Sequence, residues 1–315
     1  MNVIMTSPRL APEAVAVIEA AGGQLHYMAP YPTAADVAAL AARVDPVAIL
    51  SRQGPVDGRV MDAAPRLRII ARHGVGYEDI DVAEAVRRGI LVARAPGSNT
   101  RAVSEHTMAL ILALAKDLGP LSASVGAGGW RGAGTKVRDI DGLRLGLLGC
   151  GAIGRSVARL AGAFGMAVAG YDPGAGAVPG MEMLGGIEAL LRRSDVVSLH
   201  VPYMASTRHV LDGPALALLP PGAYVVNTAR GGLIDEAALL AALQSGHVAG
   251  AGLDVFEIEP PAPGDPLRSH PRVIATPHVA GVTDGSLVTM GVMAAECIAA
   301  VLTGAPVPAE RLVRA

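Results

Sequence analysis

Short runs of aliphatic and β-branched residues alternate with alanine- and leucine-rich stretches along nearly the whole chain. In the first third, residues 3–7 (VIMTS), 47–51 (VAILS), 67–72 (LRIIAR) and 90–94 (ILVAR) read as strands, and 12–21, 34–43, 57–64 and 81–88 as helices. Continuous apolar runs suit strands covered on both faces, and strands separated by helices pair in parallel through βαβ crossovers. A second series begins near Leu143, with strands predicted at 143–149, 166–172, 195–201, 223–228, 249–256 and 272–276. A helical segment, 103–116, and a Gly- and Ser-rich loop, 122–134, separate the two series. Another helix, 284–302, comes near the end. The pattern predicts two doubly wound α/β domains.

Composition narrows the function. The 315 residues are 51% hydrophobic and only 3% aromatic, so the cores are built from Ala, Val, Leu and Ile. A net charge of −2, without long single-sign runs, argues against nucleic acid as a partner, because such sites need concentrated basic surface. The two cysteines, Cys150 and Cys297, lack metal-type spacing, so no metal site is expected. The start lacks a basic segment followed by an apolar one, and the run 107–115 is too short to span a bilayer. A cytoplasmic protein without a membrane partner is therefore expected.

Chemistry enters with the glycines at 149, 151 and 154. With 39 Gly in the chain, such spacing arises by chance on the order of 0.6 times, so the motif alone carries little. Its context carries more. It follows a predicted strand, and it opens a helix whose apolar positions Val157, Leu160, Ala161 and Phe164 share a face. The next strand ends in Asp172, placed to accept the ribose hydroxyls of a dinucleotide. Glycines let the backbone approach a pyrophosphate on the positive end of a helix. Asp172 would repel a 2′-phosphate, which favours NAD over NADP. Ligands of open parallel sheets bind beyond the carboxyl ends of the strands. Those ends carry Gly149, Gly151, Ala152, Ile153 and Gly154, then Asp172, His200-Val201-Pro202, Asn227-Thr228-Ala229-Arg230, Asp254 and Thr276-Pro277-His278. Arg230, in VVNTARGG, is a fixed cation that needs an anion.

The segments RHGVGYEDID (72–81), PGSNTRAVSEHT (96–107), LGLLGCGAIGRSVA (145–158), VVNTARGGLIDEAAL (225–239), AGLDVFEIEPP (251–261) and TPHVAG (276–281) together resemble the D-isomer-specific 2-hydroxyacid dehydrogenases. The resemblance implies a flavodoxin-like substrate domain (1–97 plus 288–315), a Rossmann NAD-binding domain (98–287), and an active-site cleft between them. It implies that Arg230 binds the substrate carboxylate and keto oxygen. His278 would be the acid/base and Glu259 its partner, with Glu257 as the rival for that place. Thr107 and Gly281 join the cofactor-binding positions. Val75 and Gly76 would hold the substrate carboxylate through their backbone. The Trp130 segment matches the arm through which family members form homodimers.

Substrate choice would fall to Ser51, Arg52, Arg72, His73, Tyr77 and Asn99. Ser51 stands where the phosphoglycerate dehydrogenases of this family carry Arg. Arg52, the next residue, would point to the other face of the strand. With the chain ending at Ala315, the appended regulatory domain some of those enzymes have is not expected. The expected substrate is thus a small 2-keto acid, hydroxypyruvate or glyoxylate, with 3-phosphoglycerate as the alternative. An NAD(H)-sensing corepressor could keep the same residues. A formate dehydrogenase would replace the acidic partner of the histidine with Gln, and Glu259 argues against it.

Overall fold

The computed structural model describes residues 1–314, and the chain divides into two compact units, 1–99 with 282–314 and 100–281.

Unit 1 is a five-stranded, all-parallel sheet. Its elements run β1 (Asn2–Met5), α1 (Pro12–Ala20), β2 (Gln24–Tyr27), α2 (Ala34–Val44), β3 (Ala48–Ser51), α3 (Gly58–Asp62), β4 (Ile69–Arg72), α4 (Val82–Arg87) and β5 (Leu91–Ala93). The strand order is β2-β1-β3-β4-β5, the flavodoxin-like order. Alternation explains why its strands read as unbroken apolar runs. Val3, Met5, Ala48, Leu50, Ile69 and Ala71 pack on one face, while Ile4, Ile49 and Ile70 pack on the other. Each face is covered by helices, so neither set of side chains can be polar.

Unit 2 opens with α5 (Thr100–Ala115) and α6 (Leu118–Gly126) and continues with β6 (Arg144–Leu148), α7 (Ala152–Ala163), β7 (Ala167–Tyr171), β8 (Glu182–Met183) and α8 (Ile187–Leu191). It goes on through β9 (Val196–Leu199), α9 (Gly213–Ala217), β10 (Ala223–Asn227), α10 (Glu236–Ser245), β11 (Val248–Leu253) and β12 (Val273–Ala275). All seven strands are parallel in the order β12-β11-β10-β9-β6-β7-β8. The chain starts at β6 and winds outward first one way and then, from β9, the other. The strand order therefore reverses between β6 and β9, which makes that boundary the switch point of a dinucleotide-binding sheet.

The last long helix, α11 (Asp284–Thr303), returns to unit 1. Ala294, Ala295, Ile298, Val301 and Leu302 pack beside Ala14 and Ile18 of α1. A capping box of Thr283 and Ser286 starts it, and Gly304 ends it in the left-handed conformation at φ 78°. Its length and apolar composition would fit a membrane span, which the sequence reading overlooked, but its buried residues form part of the unit 1 core.

Four local readings needed correction. Strand β2 is absent from the sequence expectation because QLHY is an edge strand, half exposed, with no apolar run to reveal it. Strand β8 is two residues long and escaped for the same reason. The predicted loop 122–134 begins as the second half of α6, which buries none of its residues and so shows no amphipathic period. Phe164 leaves the apolar face of α7: it is the C-cap residue and 47% exposed, whereas Val157 and Ala161 are fully buried.

Candidate active site

The glycine loop sits at the switch point. Gly149 has φ 98°, and a Cβ there would lie 2.6 Å from the backbone carbon of His200, so only glycine lets β6 pass the end of β9. A Cβ on Gly154 would meet the carbonyl oxygen of Gly149 at 2.2 Å, so this glycine seats α7 against the loop. Gly151 differs: a Cβ there would meet no protein atom within 4 Å. Packing among the described residues does not demand a glycine at 151; open space there leaves the backbone accessible. Gly151 caps α7 without a side-chain hydrogen bond, leaving the first N–H groups of α7, from Ala152 and Ile153 onward, to an anion.

Asp172 closes this loop from β7. Its Oδ2 accepts the Cys150 N–H at 2.9 Å, and its Oδ1 accepts the Gly174 N–H at 2.9 Å. The carboxylate is held in place and only partly buried at the end of β7. Burial and the nearby Asp172 charge push the Cys150 thiol up to about 11, so it remains a thiol. On the other side of the switch point, the His200 imidazole bonds Ser198 Oγ at 2.9 Å and burial pushes it down to about 4. It is a neutral support for the Val201-Pro202 strand end.

Farther along the same edge, β10 delivers Arg230. Buried Asn227 folds the turn, its Oδ1 accepting the Ala229 N–H at 3.0 Å and its Nδ2 donating to the Arg230 carbonyl at 2.8 Å. Thr228 Oγ1 lies 2.9 Å from Thr107 Oγ1, which ties this strand end to α5. The Arg230 guanidinium is half-buried, with one N–H donating to the Ala229 carbonyl at 2.6 Å. Beyond it, a Cβ on Gly231 would lie 1.9 Å from the Phe256 carbonyl carbon. This contact presses the Arg230 turn against the loop that carries Glu259.

His278 follows β12 and adopts the left-handed conformation, φ 52°, rare for a residue with a side chain. Its Nδ1 lies 2.6 Å from Glu259 Oε2. The other oxygen of Glu259 accepts the Phe256 N–H at 3.0 Å, which fixes the carboxylate's direction. The hydrogen bond to Glu259 raises the His278 pKa above its ordinary value, against burial and the Arg230 charge, with Asp254 adding support. Burial alone would push Glu259 up, but the His278 hydrogen bond and charge outweigh it and hold the carboxyl below the usual range. Glu257, the rival partner, is instead 3.0 Å from His209 and exchanges backbone contacts with Glu236. Geometry selects Glu259.

Asp254 is buried, and its carboxylate is held by three hydrogen bonds from the protein itself. Its Oδ1 accepts the Thr276 hydroxyl at 2.6 Å and the Val279 N–H at 2.8 Å, and its Oδ2 accepts the Ala280 N–H at 2.8 Å. The strand ends thus bring Arg230, Glu259, His278, Asp254 and the glycine loop to one edge of unit 2, with Gly281 as its last residue.

Unit 1 carries the remaining candidates at the corresponding edge of its own sheet. Ser51 is fully buried at the end of β3, and its Oγ accepts from Arg72 Nη1 at 3.4 Å. Arg72 also pairs with Asp79 at 3.6 Å. Arg52 N donates to Thr6 Oγ1 at 2.9 Å. Gly74, at φ 143°, opens the loop of Val75 and Gly76 after β4. Asn99 closes the first segment of the unit, its buried Oδ1 without a hydrogen-bond partner among the described residues. His73 is buried there too; burial, then the Arg52 charge, push its imidazole down to about 4. Sequence reasoning missed His106, whose Nε2 lies 3.0 Å from Thr276 Oγ1. The available signal was a histidine beside Thr107, on the border of the buried stripe of α5.

The sheet order, the glycine loop at a helix N-terminus and the acid at the end of the next strand define a dinucleotide-binding domain. Residues 108–280 match the family described as D-isomer specific 2-hydroxyacid dehydrogenase, NAD binding domain, and the chain belongs to that family. It is 40% identical over 274 residues to a D-3-phosphoglycerate dehydrogenase of Mycobacterium bovis, covering 85% of this chain and 52% of that protein. The chain spans about half the length of that relative. It is 41% identical over 235 residues to a hydroxypyruvate reductase of Thermotoga maritima, covering 72% of this chain and 75% of the relative. Among solved structures it is similar to a protein from Thermus thermophilus, with a TM-score of 0.92 at 35% identity over the full length of both chains.

Proposed function

We propose that this protein interconverts a small D-2-hydroxy acid and its 2-keto acid, using NAD(H), with hydroxypyruvate or glyoxylate as substrate. The observation that carries the proposal is the His278–Glu259 contact at 2.6 Å beside the half-buried Arg230. Gly151 and the uncapped α7 N-terminus suit the cofactor's pyrophosphate, and Asp172 suits its ribose. A nicotinamide cofactor held there would supply or accept the hydride.

The side chains do the rest. Arg230 binds the substrate carboxylate and turns a guanidinium N–H toward the keto oxygen, stabilising the negative charge that develops there. His278 Nδ1 is committed to Glu259, so Nε2 gives a proton to that oxygen as the new C–H bond forms. Glu259 keeps the ring in this orientation and stabilises its protonated form. In the oxidative direction the neutral ring takes the hydroxyl proton back.

The preference for an unphosphorylated substrate is supported by the state of the unit 1 cations. A phosphate dianion is recognised by paired, available forks. Arg72 already serves Ser51 and Asp79, which leaves Arg52 as the candidate at that edge. The competing reading, 3-phosphoglycerate, is favoured by the name of the mycobacterial relative. NADH oxidation measured with hydroxypyruvate, glyoxylate and phosphohydroxypyruvate separates them. Hydroxypyruvate or glyoxylate should give the highest kcat/KM; a preference for the phosphorylated acid would reverse the assignment. Tight NADH binding without turnover of any 2-keto acid would point to a sensor.

The same reading makes the Trp130 segment a self-association arm. Trp130 is 80% exposed, and α6 before it buries no residue, so this surface is uncovered among the described residues.

A further inference from the structure

We infer that His106 is a positioning residue for proton transfer: through Thr276 it holds the Asp254 carboxylate around which the His278 turn is folded. The inference rests on the assignment of His278 as the acid/base.

Every hydrogen-bond donor of the turn is accounted for. The Thr276 N–H donates to the Leu253 carbonyl at 2.9 Å, and the Thr276 hydroxyl to Asp254 Oδ1 at 2.6 Å. Pro277 has no N–H. The His278 N–H donates to the Asp254 carbonyl at 2.8 Å, the Val279 N–H to Asp254 Oδ1, and the Ala280 N–H to Asp254 Oδ2. One residue therefore accepts four of the five donors. It holds His278 at φ 52°, a conformation that persists only when its surroundings enforce it.

Donor counting then assigns His106. The single proton of the Thr276 hydroxyl goes to the carboxylate, so its oxygen accepts at the 3.0 Å contact and His106 Nε2 must donate. That bond fixes the hydroxyl in the rotamer that reaches Asp254. The same ring nitrogen is 3.8 Å from Asp254 Oδ1. The next residue on α5, Thr107, bonds Thr228, two residues before Arg230. Adjacent residues of one helix thus anchor the strand ends that present Arg230 and His278, setting the spacing between the cation and the proton donor.

The groups facing His278 are Glu259, Asp254 and Arg230, and Asp254 also faces His106. If the relay slackens, the Asp254 charge turns away and the protonated ring loses support. The test compares His106→Leu, His106→Gln, Thr276→Val and the Leu/Val double variant in full-length protein, with NADH affinity and Tm measured for each. His106→Leu and Thr276→Val should each lower kcat for keto-acid reduction roughly 10- to 100-fold, the scale of a small misplacement, with NADH affinity changed less. The double variant should be no worse than the weaker single variant, because both cut one relay. His106→Gln, which keeps an N–H donor, should recover most of the loss. NMR titration of the His278 ring should move to lower pH in both disrupting variants. This reading does not depend on turnover, so an inactive wild-type protein would count against the proposed function and leave the relay testable. Unchanged kcat and His278 titration in His106→Leu, additive losses in the double variant, or a Gln variant as impaired as Leu would each overturn the inference.

Discussion

Glu259 Oε2 stands 2.6 Å from His278 Nδ1, leaving Nε2 as the ring nitrogen that can serve a substrate. The contact raises the His278 pKa above its ordinary value of 6.5. Reduction of a keto acid needs the protonated ring, so its kcat/KM should be highest at low pH and fall as pH rises through the raised pKa. Oxidation of the hydroxy acid needs the neutral ring and should rise through the same pKa. Glu259→Gln removes the largest supporting interaction. The limb should move to lower pH in both directions, and kcat should fall about 10²-fold, the usual scale for impaired acid–base catalysis. Profiles of kcat/KM against pH for both reactions check this.

Two glycines that look alike in the sequence should behave in opposite ways. An alanine Cβ at Gly231 would lie 1.9 Å from the Phe256 carbonyl carbon, and backbone cannot rotate aside. Gly231→Ala should destabilise unit 2 by about 1–3 kcal/mol, at the upper end of that range, and displace the loop carrying Glu259. A Cβ at Gly151 meets nothing. Gly151→Ala should fold with unchanged Tm and lose NADH affinity. Thermal unfolding and NADH titration of the two variants separate steric need from ligand need.

On the proposed reading Asp172, held by the Cys150 and Gly174 N–H groups, would place a negative charge at the ribose end of the cofactor site. Opposing like charges is costly, so NADH should be preferred to NADPH. Asp172→Asn should lower the ratio of their kcat/KM values by about tenfold or more. Steady-state kinetics with each cofactor at fixed keto acid gives the ratio. A wild-type preference for NADPH would show that the carboxylate does not face the ribose.

Much of this was legible in the chain because the chemistry stands at strand ends. The runs ending at Leu148, Asn227 and Leu253 are largely buried on both faces, so their apolar sequences mark them, whereas the run ending at Ala275 is a half-exposed edge strand marked by its short apolar sequence; polar residues after all four are conspicuous. Arg230, Asp254 and His278 stand out as candidates in that way, and the structure brings them to one edge of unit 2. Family resemblance, rather than periodicity, chose Glu259 over Glu257, and the 2.6 Å contact to His278 supplies its physical reason. What stayed hidden depends on three-dimensional approach. The backbone of Phe256 forbids a side chain at Gly231, although the two positions are distant in sequence. His106 and Thr276, which are 170 positions apart, meet only when α5 packs along the sheet. Strand β2 and helix α6 escaped because each is too exposed to show an apolar period.

The most direct test of the central claim is single-turnover oxidation of enzyme-bound NADH by hydroxypyruvate or glyoxylate in the wild-type protein, Arg230→Ala and His278→Ala. All three should bind NADH with similar affinity, since neither residue is assigned to the cofactor. The wild-type protein should oxidise it, and each variant should be slower by about 10²- to 10³-fold, the cost of losing a fixed charge or proton donor at a developing oxyanion. Variants that oxidise NADH at the wild-type rate would contradict the account, as would a wild-type protein that binds NADH and oxidises none of it.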